Sequence, residues 1–334
     1  MDEVKIISVN CQGLGSQEKR KDVLKFLKSK KCDIYCLQDT HFVEDMHNIV
    51  ISEWGFDKCF FSSYASNARG TAIIFNNTFD FKVHECVCDE NGNFVILNVT
   101  LENTQVTLVN IYGPNRDNPD FYKTVLQKAK NLGNESYIIC GDFNFILDPT
   151  IDCKYYKEDT INNPNARNLM LETIEDLDLL DIYRELHPDT HRYTWRKKNP
   201  RKMARLDFFL LSNNLFNCVN ECNIDPSYRT DHSIIFLSLR FQDFHIGKGL
   251  WKFNNSLLYD KEFVAKVKST IYNVKLQYSL PVYNVDQIPN IPDNEISFTI
   301  NDQLFLEVLL MEIRGQSISH SSYVKKNKNK REKE

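Results

Sequence analysis

At 334 residues the chain exceeds a typical single domain without demanding two full ones, so one large domain with an appendage is expected. Hydrophobic residues at 42% and charged residues at 26% fit a globular protein, and a formal net charge of -4 excludes a chain-wide nucleic-acid-binding surface, so any such surface must be local. No apolar run approaches the ~18 residues that span a bilayer, so a soluble protein with no membrane partner is expected.

VKIISVNC (4–11) reads as a strand from its β-branched content, and EKRKDVLKFLKSKKC (18–32) as an amphipathic helix whose apolar face includes Val23, Phe26 and Leu27. DIYCLQDT is a second strand, which ends by delivering a carboxylate, Asp39, with His41 just beyond. GTAIIFNN (70–77) and then 84–115 read as successive strands turned by ENGN and LENTQ, an antiparallel meander. NPDFYKTVLQKAKNL (118–132) is helical and SYIICGDFN (136–144) is a strand. NARNLMLETIEDLDLLDIYREL (165–186) reads as one long helix, with Leu169, Ile174, Leu177 and Leu180 among its apolar positions. HRYTWR, ARLDFFLLS and HSIIFLSLRF form a last group. Strands and helices mixed in this way predict a sheet-on-sheet core covered by helices.

After about residue 243 the character changes. GKGLWKFNNSLLYDKEFVAKVKSTI predicts a short turn and helix, the next stretch is rich in proline and asparagine, and VKKNKNKREKE is expected to be a solvated, disordered tail. The expected division is a domain over 1–243 and a connector-like appendage over 244–334. The ten cysteines, at 11, 32, 36, 59, 86, 88, 140, 153, 218 and 222, read as small buried hydrophobes. With no CxxC pair and no opening signal peptide, neither a zinc site nor a disulfide framework is expected, and the compartment is expected to be reducing.

Chemistry-bearing side chains gather at strand ends: Asn10, Asp39, Tyr112, Asp142 with Asn144, Asp207, and Asp231 with His232. One of these would mean little, because strands turn polar where they leave a core and Asx residues start turns. Together they point to one site. In IICGDFNF, strand alternation would send Asp142 and Asn144 to the same side, the other reading being an Asx turn after a buried strand. In RTDHSIIFLSL the Asp-His pair could cap a strand, but Asp207 in ARLDFF offers a carboxylate to orient the imidazole. Between YTW and ARLD lies RKKNPRKM, so Arg196, Lys197, Lys198, Arg201, Lys202 and Arg205 make a local basic patch with no acid among them. Asn199-Pro200 marks a turn, which makes this a hairpin with cations on both limbs, able to lie on phosphates or enter a minor groove; a solvated surface loop is the alternative.

SVNCQGL, CLQDTH, NIYGPN, GDFN, ARLDFFLLS and TDHS stand in the order found in the exonuclease-endonuclease-phosphatase superfamily, which the chain resembles over roughly residues 4–241. In particular it looks like the apurinic-type endonuclease of LINE-type retrotransposon polyproteins. GKGLWKFNNSLL and LLMEIRG look like the connector that precedes the reverse transcriptase there, and no polymerase motif follows. The resemblance implies a DNase I-like, four-layer α/β sandwich of two packed mixed sheets flanked by helices. It implies Asp39 as the metal carboxylate with Asn10 nearby and Asp231 as a further ligand, oxygen ligands that suit Mg2+, or Mn2+ as a substitute, better than zinc. By the same resemblance Asp142 would position or deprotonate the attacking water and Asn144 would hold it or the phosphate. His232, oriented by Asp207, would serve the phosphoryl oxygen, and Tyr112 would contact the phosphate or leaving group. The family places a DNA-reading hairpin where the basic patch stands; Thr194 could contact DNA at its base, and Arg69, before GTAIIF, is a weaker candidate for a phosphate contact.

Two departures matter. The family usually has glutamate where this chain has Asp39, and apurinic repair enzymes have an aspartate where this chain has Gln12. The implied function is Mg2+-dependent nicking of double-stranded DNA, leaving a 3′-hydroxyl to prime reverse transcription, by a monomer acting in the nucleus; the terminal Lys/Arg run adds a weak targeting signal. The rival readings are an apurinic-site or exonuclease-type repair enzyme, a phosphatase for small or lipid phosphates, and a catalytically inactive nucleic-acid-binding remnant.

Overall fold

Val4–Asn10 (β1) carries Val, Ile, Ile and Val, branched side chains that sit well on a pleated surface, and it forms a strand buried on both faces. The computed structural model describes residues 3–77, 80–156, 162–241, 253, 255–280 and 297–331. They belong to two units, Met1–His245 and Ile246–Glu334. In the first unit β1 is followed by α1 (Gln17–Ser29), β2 (Ile34–Gln38), α2 (His47–Trp54), β3 (Cys59–Ser62) and β4 (Thr71–Phe75). Three hairpin-linked strands come next, β5 (Phe81–Cys88), β6 (Phe94–Leu101) and β7 (Thr104–Tyr112), then α3 (Pro119–Asn131) and β8 (Tyr137–Asp142). The remainder is β9 (Cys153–Lys154), α4 (Pro164–Asp176), β10 (Leu179–Asp181), α5 (Ile182–Leu186), β11 (Trp195–Lys197), β12 (Lys202–Ala204), β13 (Asp207–Ser212), β14 (Val219–Asp225) and β15 (Ile234–Leu239).

Two six-stranded mixed sheets result, in the orders β14-β15-β1-β2-β4-β3 and β10-β13-β8-β7-β6-β5. Their facing sides share an apolar core, with Ile6, Ile34 and Ile73 meeting Leu97, Leu108 and Ile138. Val23, Leu24 and Leu27 of α1 cover the outer face of the first sheet, and Val125, Ala129, Ala166 and Met170 of α3 and α4 cover that of the second. The architecture is the four-layer α/β sandwich expected, each amphipathic helix burying its stripe on a sheet.

Four expectations require correction. Residues 165–186 are not one helix: after α4, Asp178 takes a left-handed φ of 49° and Leu179–Asp181 pairs antiparallel with β13. Leu179 then joins the helix-side core while Leu180 packs against the inter-sheet core, the two-residue alternation of a strand. The meander is divided, since β4 belongs to the first sheet and β5, β6 and β7 to the second. Cys86 and Cys88 are exposed, not buried. In the second unit α6 (Lys261–Tyr278), capped by the Asp260 carboxylate, is followed by the paired strands β16 (Ser279–Leu280) and β17 (Ser297–Phe298). The helix α7 (Asp302–Arg331) then runs through 324–331, which had been expected to be disordered. That run has no proline or glycine, and lysine loses little rotamer freedom in a helix. Most of GKGLWKFNNSLL, the proline-rich stretch over 281–296 and residues 332–334 lie outside the described residues. Among the described residues no helix is long and apolar enough to cross a membrane.

Candidate active site

Alternate residues of a strand share a face, and along the facing sides of the two sheets those residues change character in step. β1 presents Val4 and Ile6 and then Ser8 and Asn10; β2 presents Ile34 and Cys36 and then Gln38. β7 presents Val106 and Leu108 and then Asn110 and Tyr112; β8 presents Ile138 and Cys140 and then Asp142. Midway, Gln38 Nε2 donates to Ser8 Oγ at 2.9 Å and to Asn110 Oδ1 at 2.6 Å, and Asn110 Nδ2 donates to the carbonyls of Leu37 and Ala72. This belt ties the sheets together where the dry core gives way to the rim, and it leaves Gln38 Oε1 buried without a partner.

At the rim, Asp142 stands directly opposite Asp207 of β13, each 1% exposed. Two such carboxylates repel. His232 lies between them: its Nδ1 is 2.9 Å from Asp207 Oδ2, and its Nε2 is 3.8 Å from Asp142 Oδ2. Burial pulls the imidazole pKa down, but Asp207 and Asp142 outweigh it and hold His232 at about 9. Burial and the Asp207 charge raise Asp142 to about 7, against the pull of His232, of Asn10 Nδ2 at 2.8 Å and of the Asn144 N–H at 2.9 Å. Near neutrality His232 therefore carries its proton while Asp142 is poised to take one. The 3.8 Å separation is too long for a hydrogen bond, and an oxygen lying beside the line that joins the two atoms could reach both. Strand alternation does not carry Asn144 to this side, because β8 ends at Asp142 and Asn144 has a φ of 51°. The Asx turn forms instead, with the Asn144 N–H on Asp142 Oδ1, while Asn144 Nδ2 donates to the Gly113 carbonyl at 2.7 Å.

Asp39 leaves β2 with a φ of 49°, uncommon for a residue with a side chain. Neighbouring loops clamp it: the Gly13 N–H donates to the Asp39 carbonyl, the Thr40 N–H to Gly70 and the His41 N–H to Arg69. Its Oδ1 meets His41 Nε2 at 3.1 Å and the Arg69 N–H at 3.2 Å. The Tyr112 phenol, its pKa raised by burial and then by Asp39 and Asp142, stays a proton donor. Asp39, Arg69, Tyr112 and Arg116 line a groove of 1100 Å³. Asp231 stands apart from the buried group: it is exposed and accepts from Trp195 Nε1 at 3.0 Å.

A hard divalent cation needs oxygen ligands with lone pairs to spare. The carboxylate oxygens of Asp142 and Asp207 lie within 4.8 Å of one another and of the protonated His232, and Asp207 Oδ1 is buried without a partner. Asp39 adds a partly exposed carboxylate at the groove. Cys11, beside this group, is pushed up to about 12 by burial and offers no thiolate. The donor set is oxygen-rich and fits such a cation.

β11 and β12 pair antiparallel around Asn199-Pro200, with Arg196, Lys197, Lys198 and Arg201 exposed and Lys202 half-buried. Arg196, Lys197, Lys198 and Arg201 line a 600 Å³ cavity together with Asp231 and His232. Two expected contact residues do not belong to this surface. Arg205 is 1% exposed, its guanidinium bound to both oxygens of Asp152 at 2.8 and 2.7 Å and to Asp181 Oδ1 at 3.0 Å. Thr194 is fully buried, its Oγ1 accepting from the N–H groups of Leu206 and Asp207. Both hold the base of the hairpin. Missed at the sequence level were Trp195, which grips Asp231, and Thr230, whose Oγ1 donates to the Asn10 carbonyl at 2.9 Å and accepts from the His232 N–H. Tyr155 and Tyr156, lying under the cations of Arg201 and Lys202, were also missed. Only the YTW and RTDH strings hinted at the first two.

A family model described as Endonuclease/Exonuclease/phosphatase family matches residues 7–232, more than half of the chain. The transposon TX1 uncharacterized 149 kDa protein of Xenopus laevis is 24% identical over 270 residues, which cover 79% of this chain and 20% of that protein. The chain thus spans about a fifth of the length of that relative. Among solved structures, the AP endonuclease LMAP from Leishmania major is similar with a TM-score of 0.61 at 20% identity, over 72% of this chain and 88% of that one. The endonuclease domain of TRAS1, a telomere-specific non-LTR retrotransposon, gives 0.53 at 15% identity, over 72% of this chain and all of that one. At these identities the structural likeness is one of fold.

Proposed function

The chain belongs to the endonuclease/exonuclease/phosphatase family, and from that membership we propose that it is a divalent-metal-dependent endonuclease that nicks double-stranded DNA and leaves a 3′-hydroxyl. The observation that carries this reading is the buried Asp207–His232–Asp142 series, in which a protonated imidazole faces a carboxylate across a gap of 3.8 Å. Asp142, with a pKa of about 7, takes the proton of the attacking water; a general base works best with a pKa near the working pH. Asn10 Nδ2 holds one oxygen of that carboxylate, and the Asn144 N–H holds the other. His232 directs Nε2–H at the phosphoryl oxygen, its Nδ1–H fixed by Asp207. Tyr112, protonated and next to Asp39, donates to the phosphate or the leaving oxygen. Asp39 would hold Mg2+, with Asn10 alongside and Asp231 on the far lip, and the cation would neutralise phosphate charge. One protein carboxylate suffices for an ion that keeps most of its waters and shares the substrate phosphate.

Arg196, Lys197, Lys198, Arg201 and Lys202 lie along the DNA backbone on one side of the site, and Arg69 on the other. This cationic hairpin favours duplex DNA over a small phosphate ester. The product would prime reverse transcription, a role that belongs in the nucleus and draws support from the transposon relative. The test is supercoiled plasmid with Mg2+ and the full chain: nicked circles that a polymerase extends directly are expected, and Asp142→Ala and His232→Ala abolish them. Tight DNA binding without nicking in either Mg2+ or Mn2+ would refute the proposal and favour an inactive binding remnant. Cleavage confined to plasmid carrying apurinic sites would assign the repair reading instead.

A further inference from the structure

Cys86 and Cys88 sit two residues apart on β5, the last strand of its sheet, and two positions apart on a strand means one shared face. A bulge between Val83 and Glu85 decides which face. Before it, Phe81 and Val83 pack on the inter-sheet core; beyond it, Val87 packs on the helix-side core. That inversion turns Cys86 and Cys88 to the inner side, opposite Leu97 and Val95, on the strand that ends its sheet. Both are exposed, and their sulfurs are 3.4 Å apart. The remaining eight cysteines are buried or half-buried.

We propose that Cys86 and Cys88 form a second site, separate from the phosphodiester chemistry, which takes one soft, thiophilic d10 cation of the copper(I) class between the two sulfurs. With two thiolates as its only ligands a d10 ion is held close to linearly, and bonds of ~2.3 Å then set the sulfurs roughly 4.5 Å apart, so the two side chains must rotate to open the pair from 3.4 Å. A disulfide fits less well. Two strand residues rise about 6.6 Å, at the far limit of the roughly 4.4–6.8 Å that a disulfide tolerates between Cα atoms. The ligand count selects the class of ion. His84 faces the other way, its Nε2 2.8 Å from Thr100 Oγ1, and among the described residues no histidine or carboxylate joins the two thiols in a three-donor cluster. The described residues thus offer two ligands where a structural zinc site takes four, and a two-thiolate site suits copper(I). The contact with the Cys86 sulfur draws the Cys88 pKa down against burial and Asp89. On binding, each S–H gives its proton to solvent and a sulfur–metal bond replaces it, with no electron transferred. The complex carries one negative charge, and the 720 Å³ cavity beside Cys86 is lined by Lys58 and Lys82 together with Asp80 and Glu85.

The test uses the full chain, reduced and anaerobic, titrated with copper(I) against a chromophoric copper(I) chelator. One equivalent is expected to move to the protein, with loss of the two fast-reacting thiols in a thiol-reagent assay. Cys86→Ser and Cys88→Ser should each weaken retention more than ~100-fold, beyond the ~10–100-fold typical of losing a partner outside the ligand shell. Both serine variants should keep the circular dichroism and nicking activity of the wild type, which separates this site from the catalytic one. Wild-type retention by either variant, failure of the wild type to compete, or displacement of copper(I) by equimolar Zn2+ would each overturn the assignment.

Discussion

Replacing Asp207 by asparagine keeps the shape of the side chain and an oxygen beside His232 but removes the charge 2.9 Å from Nδ1. Burial, the largest influence on this imidazole, then loses its strongest opponent, and the pKa of about 9 falls to the ordinary 6.5 or below. Holding a pKa of about 9 against 6.5 corresponds to roughly 3 kcal/mol at about 1.36 kcal/mol per pKa unit. Because the folded-state pKa is raised, this stabilisation is fully present below pH 6.5 and is lost as pH rises through about 9. The stability gap between wild type and Asp207→Asn should therefore be widest at pH 6 and close above pH 9 in urea titrations. Imidazole NMR should follow the His232 titration directly. At pH 7.5 nicking should fall by ~100-fold or more, the range for a lost donor to the oxygen that gains charge in the transition state. If His232 in the variant still titrates near 9, or the gap is the same at pH 6 and pH 9.5, Asp207 is not what charges the imidazole and the reasoning fails.

The pH profile of nicking should rise as Asp142 loses its proton through about 7 and fall as His232 loses its own through about 9, leaving a plateau between; a profile still rising at pH 10 contradicts these roles. Arg205→Met removes one partner of a buried ion network and leaves Asp152 with Arg184 as its cation, so unfolding free energy from urea titration should drop by roughly 3–5 kcal/mol. Gly141 has a φ of 134°, and a Cβ there would collide with the Ile111 carbonyl of the neighbouring strand, so Gly141→Ala should lower the thermal midpoint sharply and abolish nicking. Neutralising Lys197, Lys198 and Arg201 together should weaken DNA binding and flatten its salt dependence by about three in log–log slope, read by anisotropy at several salt concentrations.

How far the site could be read in advance varies residue by residue. Asn10 and Asp142 announce themselves because each ends an apolar run, and Asp207 because it opens one, and a strand built for a core has no other use for such a polar side chain at its end. Arg205 did not, because in a row of cations nothing local separates a surface arginine from one that folds inward onto Asp152. Thr194 was misread in the same way, since its partners are backbone N–H groups 12 and 13 residues further along.

The sequence by itself determined the layers: β-branched alternation and helical stripes follow from neighbours within a few residues, and the polar change at strand ends is written in the same local code. Only the tertiary structure decided which residues meet. The pairing of Leu179–Asp181 with β13 overrode a helical pattern, because strand partners far apart in the chain supply backbone hydrogen bonds that no local period reveals. The register that sets Asp142 opposite Asp207, and brings His232 from the loop before β15 between them, likewise exists only once the sheets are assembled. Charge coupling falls off within a few ångströms in a solvated chain, so the pKa values that give these groups their chemistry belong to the fold and to no segment of it.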